Sequence, residues 1–237
     1  MVFPVKPKYT IGPDIVKYDG EVFSPVISES YIREKEKELF RLEKYLCKQE
    51  DESVVRILGD YCGVNSFNIK DIGLRLEEDV AVMKDGKLSA ICFCFPSGFS
   101  PDEIVGKSFY QIHEPVPESE RLRKSSDNIT TAMSREGSKY RRYVWTLSSL
   151  SSLSQHPRYE RPIPESIDDI YFRTEVQTTV GMGNNISLFF VRVEMTPLNQ
   201  ICVEHKEIIR ESINSMSDSI LEYKGLKKIK EIISNVD

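Results

Sequence analysis

IYFRTEVQTTVGMGNNISLFFVRVEM, residues 170–195, consists of two runs of β-branched and aromatic side chains separated by GMGNN. Such residues favour extended backbone, and the Gly and Asn between them tolerate a tight reversal, so the stretch predicts a β-hairpin. Moving outward, DVAVMKDGKLSAICFCF at 79–95 sets Asp85-Gly86 between two apolar runs. Because Gly accepts positive φ, this reads as a second strand, tight turn and strand. RRYVWTL at 141–147 adds a further strand.

Helical spacing surrounds these strands. SESYIREKEKELFRLEKYLCKQE at 28–50 carries Ile32, Leu39, Leu42 and Leu46 on one stripe, with Ser28 or Ser30 as cap and the charges as a solvated face. PESERLRKSSDNITTAMSRE at 117–136 opens with proline, has Glu118 and Glu120 early, and keeps Leu122, Ile129 and Met133 on one side, which predicts a helix. NQICVEHKEIIRESINSMSDSILEYK at 199–224 repeats isoleucine at helical intervals up to Gly225, and a short amphipathic tail follows. The Ser- and Pro-rich segment 148–169 reads as an ordered surface loop. Antiparallel strands with helices outside them give an α+β class, expected as one domain over residues 1–237.

With 40% hydrophobic and 29% charged residues, the chain has the balance of a globular protein able to bury a core. The net charge of -5, with cations interspersed among anions, argues against a nucleic-acid footprint. The start MVFPVKPKYTIGPD lacks the apolar core of a secretory signal, and no apolar run is long enough for a membrane helix. A cytoplasmic protein is the expectation. Cys47, Cys62, Cys92, Cys94 and Cys202 follow no zinc spacing and read as reduced core thiols, Cys92 and Cys94 on one strand face.

Two features carry the chemistry. His113 precedes Pro115 and Pro117, so its segment has little backbone freedom and its side chain is held before any ligand arrives. That suits a metal ligand, although a lone histidine is more often a packed structural residue. Strand alternation in YFRTEVQTTV puts Tyr171, Arg173, Glu175 and Gln177 on one face, a polar row that either meets solvent or lines a cavity. Arg192, inside ISLFFVRV, should be paired, reach a carboxylate or propionate, or face water at an edge. His156 falls in a polar loop without a nucleophile partner, and His205 reads as solvent-facing on its helix.

Several blocks in order resemble the haem-dependent oxidative N-demethylase alpha-subunit family. FPSGFSP at 95–101 is similar to its FPSGW-x-P, and VGKSFYQIHEPVP at 105–117 to its block ending Ile-His-x-Pro-Val-Pro. Arg142 and Trp145 match R-x-N-W, FRTEVQ at 172–177 matches L-R-x-E-R-Q, EYKGL at 222–226 matches a YKG element, and Glu78-Asp79 resembles an acidic pair. The resemblance implies a PAS-like antiparallel sheet with helical N- and C-terminal extensions that binds haem b. It also implies O2-dependent demethylation of a small methylated amine with release of formaldehyde. His113 would be the proximal iron ligand, Arg173 and Glu175 catalytic candidates, Gln177 a cofactor contact in the pocket wall, and Arg192 a propionate partner. Electrons would come from NADPH through a separate flavin and iron-sulfur partner, since the chain has neither a G-x-G-x-x-G nor a ferredoxin cysteine run. Homo-oligomerisation stays open. Phe99, Val144, Val176 and the segment TTVGMGNN depart from the family pattern, which leaves a non-catalytic haem-binding or gas- or redox-sensing module, and a haem-free relative, as alternatives.

Overall fold

The computed structural model describes residues 3–24 and 27–234. In chain order the elements are β1 (Val16–Lys17), α1 (Glu29–Leu46), β2 (Cys47–Gln49), α2 (Glu52–Cys62), α3 (Ile69–Gly73), β3 (Asp79–Lys84) and β4 (Lys87–Cys92). There follow α4 (Phe109–His113), α5 (Glu120–Lys124), α6 (Ser126–Ser134), β5 (Lys139–Ser148), β6 (Tyr171–Gly183), β7 (Ile186–Pro197), α7 (Val203–Asn214), α8 (Asp218–Lys224) and α9 (Lys227–Ser234). The strands form one antiparallel sheet in the order β1-β5-β6-β7-β3-β4-β2, and the fold is α+β.

Both expected hairpins are present. β3 and β4 turn at Asp85 and Gly86, with φ of 50° and 73°. β6 and β7 turn at Asn184 and Asn185, with φ of 49° and 59°, so the reversal is tighter than the five residues GMGNN. Gly181 and Gly183 belong instead to β6, where the register shifts. A Cβ on Gly181 would lie 2.0 Å from the Arg135 carbonyl and 2.7 Å from that of Met133, so glycine is required where the end of α6 crosses the strand.

Several helices are shorter than the spacing predicts. The 28–50 segment stops at Leu46, where the backbone turns extended and Cys47–Gln49 becomes an edge strand on β4. Its apolar stripe is not purely apolar: Lys35 and Glu38 are buried on it. The 117–136 segment divides into α5 and α6 at Ser125. The 199–224 segment divides at Ser215–Ser217, where Ser217 caps α8, and α8 ends at Gly225 with φ of 68°.

Two apolar clusters hold the layers together. One joins α1, α2 and α3 to β3, β4 and the turn end of β6 and β7, through Leu46, Val54, Leu58, Ile72, Val80, Leu188 and Phe190. The other packs Ile209, Ile213, Ile220, Leu226 and Ile229 of the C-terminal helices against Trp145, Leu147 and Phe172. β6 contributes to both, Phe172 to one and Val180 to the other, so the long hairpin spans the molecule. β3 begins opposite Val191 of β7, which leaves the next outward-facing backbone groups of β7 without a strand. There the Tyr31 hydroxyl accepts from the Val193 N–H at 3.0 Å and donates to the Val193 carbonyl at 3.1 Å. All five cysteines are free thiols; Cys92 and Cys94 are buried and Cys202 is exposed, unlike the core placement expected for it. Among the described residues no helix is long and apolar enough to cross a membrane.

Candidate functional site

Register assembles the site. Antiparallel partners share a face, so Gln177 with Arg142, Glu175 with Val144 and Arg173 with Thr146 form one surface of β5 and β6. On it Arg173 and Glu175 are an ion pair, both nearly inaccessible to solvent. The guanidinium also donates from Nη2 to the Phe95 carbonyl at 2.7 Å and from Nε to that of Leu153 at 3.4 Å. The second oxygen of Glu175 accepts from the Gln177 amide at 2.6 Å. Burial opposes the Glu175 charge, but Arg173, Gln177 and Arg142 outweigh it and hold the carboxyl below its usual range. Arg173, Glu175 and Gln177 of the polar row therefore form a bonded network rather than a solvated face, and Tyr171 lies half-buried outside it.

Further cations gather around this carboxylate. Arg142 is half-buried and its Nε has no hydrogen-bond partner; burial foremost lowers its pKa, and Glu175 is the first of the charges that resist. Lys224, at the end of α8, donates to the Trp145 carbonyl at 3.3 Å. Its ammonium is pushed down to about 8 by burial, with Arg173 and Arg142 adding repulsion. Arg161, an exposed residue of the loop before β6, neighbours Arg173 rather than Glu175. Its guanidinium lies over two glycines, and the positions a Cβ would take are 3.5 Å away at Gly98 and 3.2 Å away at Gly225. Desolvation and then repulsion by Arg173 lower its pKa.

His113 ends α4, a short helix opened by a Ser108–Gln111 capping box. It is half-buried, its ring stacked on Phe109 at 4.1 Å. Nδ1 lies 2.8 Å from the Phe109 carbonyl. A carbonyl only accepts, so Nδ1 carries the proton and Nε2 keeps its lone pair. Burial first, and the charge of Arg142 beyond it, lower the pKa and favour that neutral ring. Arg142 thus links His113 to the Glu175 network.

Arg192 lies elsewhere. It pairs across the hairpin with Val176, on the face opposite Glu175, and is held by Glu77 at 2.6 Å and Glu194 at 3.7 Å. It is paired, as its apolar surroundings required, but by carboxylates of this chain. His156 is buried rather than set in open loop: its Nδ1 accepts from the Arg158 N–H at 3.2 Å and Nε2 lies 3.3 Å from Ser100 Oγ. With Nδ1 accepting, Nε2 holds the proton and donates to Ser100, so this pair is no activated nucleophile. His205 is half-buried and stacked on Phe3 at 3.7 Å, not solvent-facing.

The family model for the haem-dependent oxidative N-demethylase, alpha subunit-like, matches residues 38–234, most of the 237-residue chain. The chain belongs to this family. No curated protein matches it. The family blocks, scattered in sequence, meet in space: Phe95 and Gly98 of FPSGF, Arg142, the FRTEVQ strand and the Lys224-Gly225 pair all contact or face the same network. Of the departures, Val176 lies on the opposite face beside Tyr143 and Arg192, so no cation is lost from the network there. Phe99 keeps an aromatic contact, 6.3 Å from Phe93. Val144 shares the Glu175 face, as does Thr179 of the TTVGMGNN segment by alternation.

Arg142, Arg161 and Lys224 were not among the expected site residues. Arg142 and Lys224 sit inside blocks that carried the resemblance, and alternation with register identifies Arg142 once β5 is paired to β6. Arg161 had no such signal, because only the folded loop brings it to the glycines.

Proposed function

We propose that the protein binds haem b through His113 in a PAS-like sheet and catalyses oxidative N-demethylation of a methylated amine. The observation that carries this is the His113 ring: rotationally fixed by Phe109, neutral, and presenting an uncommitted Nε2 beside a cation. The surrounding residues fit the group. Arg142, with its unpartnered buried Nε, and Lys224 are suited to the anionic propionates, and the Phe109 carbonyl strengthens the imidazole as a donor to iron. When bound, haem supplies O2 activation. The overall reaction takes O2, two electrons and two protons and converts N–CH3 to N–H, formaldehyde and water. The electrons come from an NADPH-dependent flavin and iron-sulfur partner.

Within this reading the chain's residues bind and orient. Glu175 has both oxygens committed, to Arg173 and Gln177, so it fixes the wall and tempers the positive field rather than standing free for an ammonium. Arg173 ties that wall to Phe95 and the loop at Leu153. The placement of Val176 away from the network favours the catalytic reading over a sensing module. A haem titration of the purified protein beside His113→Ala tests the assignment. A stoichiometric Soret band that is lost or shifted in the variant is expected, followed by amine-dependent formaldehyde once a reductase is added. A band indifferent to the substitution would assign the iron elsewhere.

A further inference from the structure

Cys47 and Cys92 face each other at the rim of the sheet, far from the haem-binding residues in the strand order. Edge strand β2 pairs with β4 in a register that sets the two cysteines directly opposite, and a hydrogen bond from the Phe93 N–H to the Leu46 carbonyl at 3.0 Å flanks them. They are therefore a non-hydrogen-bonded pair, the kind in which opposed Cα atoms approach to about 4.5 Å and side chains lie closest. A disulfide accepts Cα separations of about 4.4–6.8 Å, so the backbone already stands where a bridge needs it. The side chains agree. The two Sγ atoms lie 2.8 Å apart, inside the optimum of about 3.5–4.0 Å for a pair of smaller carbon atoms. Gly73 of α3 closes the site from another side: a Cβ there would fall 2.8 Å from Cys92 Sγ, so that sulfur has little room to turn away.

The two thiols differ in access. Cys47 is half-buried on the edge strand, whereas Cys92 is fully buried. The contact with Cys47 foremost, and burial as well, raise Cys92 well above the usual thiol range, and burial does the same to the neighbouring Cys94. Cys47 is thus the thiol that an oxidant reaches first. We propose that Cys47 and Cys92 are a reversible disulfide site, closed by a peroxide and reopened by a dithiol. The Cys47 thiolate attacks one oxygen of hydrogen peroxide, the O–O bond breaks, and the sulfenic acid forms as hydroxide leaves and takes up the thiol proton. The Cys92 sulfur then attacks the sulfenic sulfur; the S–S bond forms, the S–O bond breaks, and the hydroxyl departs with the Cys92 proton as a second water. Two thiols lose two electrons and two protons, and the peroxide becomes two waters. The bridge closes the loop that carries α2, α3 and β3 and fastens a strand of only three residues to the sheet.

The full chain carrying Cys202→Ser, which keeps the exposed thiol from linking copies, is reduced and then titrated with hydrogen peroxide. The intact mass is expected to fall by two hydrogen atoms and to return with dithiothreitol. Peptide mapping without reductant, with fragmentation to locate the bond, is expected to join Cys47 to Cys92. The bond should persist in Cys94→Ala and be absent in Cys47→Ser. The oxidised protein should unfold about 5 °C or more above the reduced one, with no such rise in Cys47→Ser. An unchanged mass, a bridge to Cys94 instead, a sulfinic acid at Cys47 without a bridge, or an unmoved unfolding midpoint would each overturn the proposal.

Discussion

Glu175 shows how one residue can be indispensable without being free. Its removal leaves Arg173 buried without a counterion, facing Arg142 and Lys224 as well. Glu175→Gln is therefore expected to destabilise the protein by about 3 kcal/mol, read as a lower denaturant midpoint. Lys224 adds a pH dependence. Its proton is lost near pH 8 in the folded protein, whereas the unfolded chain keeps it up to about 10.4. Between those values the unfolded state binds more protons, so folding stability rises with pH across that window. Denaturant midpoints of the protein and of Lys224→Met at about pH 7.5 and about pH 9.5 check this, the rise with pH being smaller in the variant.

The strands were readable because their signals are local: β-branched runs and Asp-Gly or Asn-Asn turns specify β3, β4, β6 and β7 whatever packs on them. Helix ends were less readable. In 28–50 the helical stripe runs past Leu46, and only pairing with β4 decides that Cys47–Gln49 is strand. Lys35 was read as solvated, although it lies three residues after Ile32 and four before Leu39, on the apolar stripe itself. Its ammonium donates to the carbonyls of Gly73, Leu76 and Glu78, partners that no spacing announces. The GMGNN segment has a physical reason at Gly181, where any side chain would meet the backbone of α6. Gly181→Ala should lower stability by about 2 kcal/mol or more, visible in thermal unfolding.

At the scale of the molecule, the site is continuous with the core beneath it. Lys35 pairs with Asp79 at 3.3 Å, Asp79 accepts from the Phe95 N–H at 2.8 Å, and the Phe95 carbonyl receives Arg173. One peptide segment thus ties the first helix to the Glu175 network. Asp79→Ala is expected to lower stability by about 3 kcal/mol and also to weaken haem uptake, because Phe95 loses its anchor. A loss of stability with unaltered haem affinity would show that the two ends act separately. The histidine and the Arg173–Glu175–Gln177 row were visible in sequence, but their meeting through Arg142 depends on long-range pairing of β5 with β6.

The Tyr31 hydroxyl on Val193 also matters for how copies of the chain meet. A strand that overhangs its neighbour normally offers an N–H and a C=O to any other extended chain, which is how sheets recruit one another into aggregates. Here one phenol occupies both groups. At Val193 the overhang of β7 therefore has no backbone hydrogen bond left to offer, and growth of the sheet into a neighbouring molecule is blocked there by a side chain from the first helix.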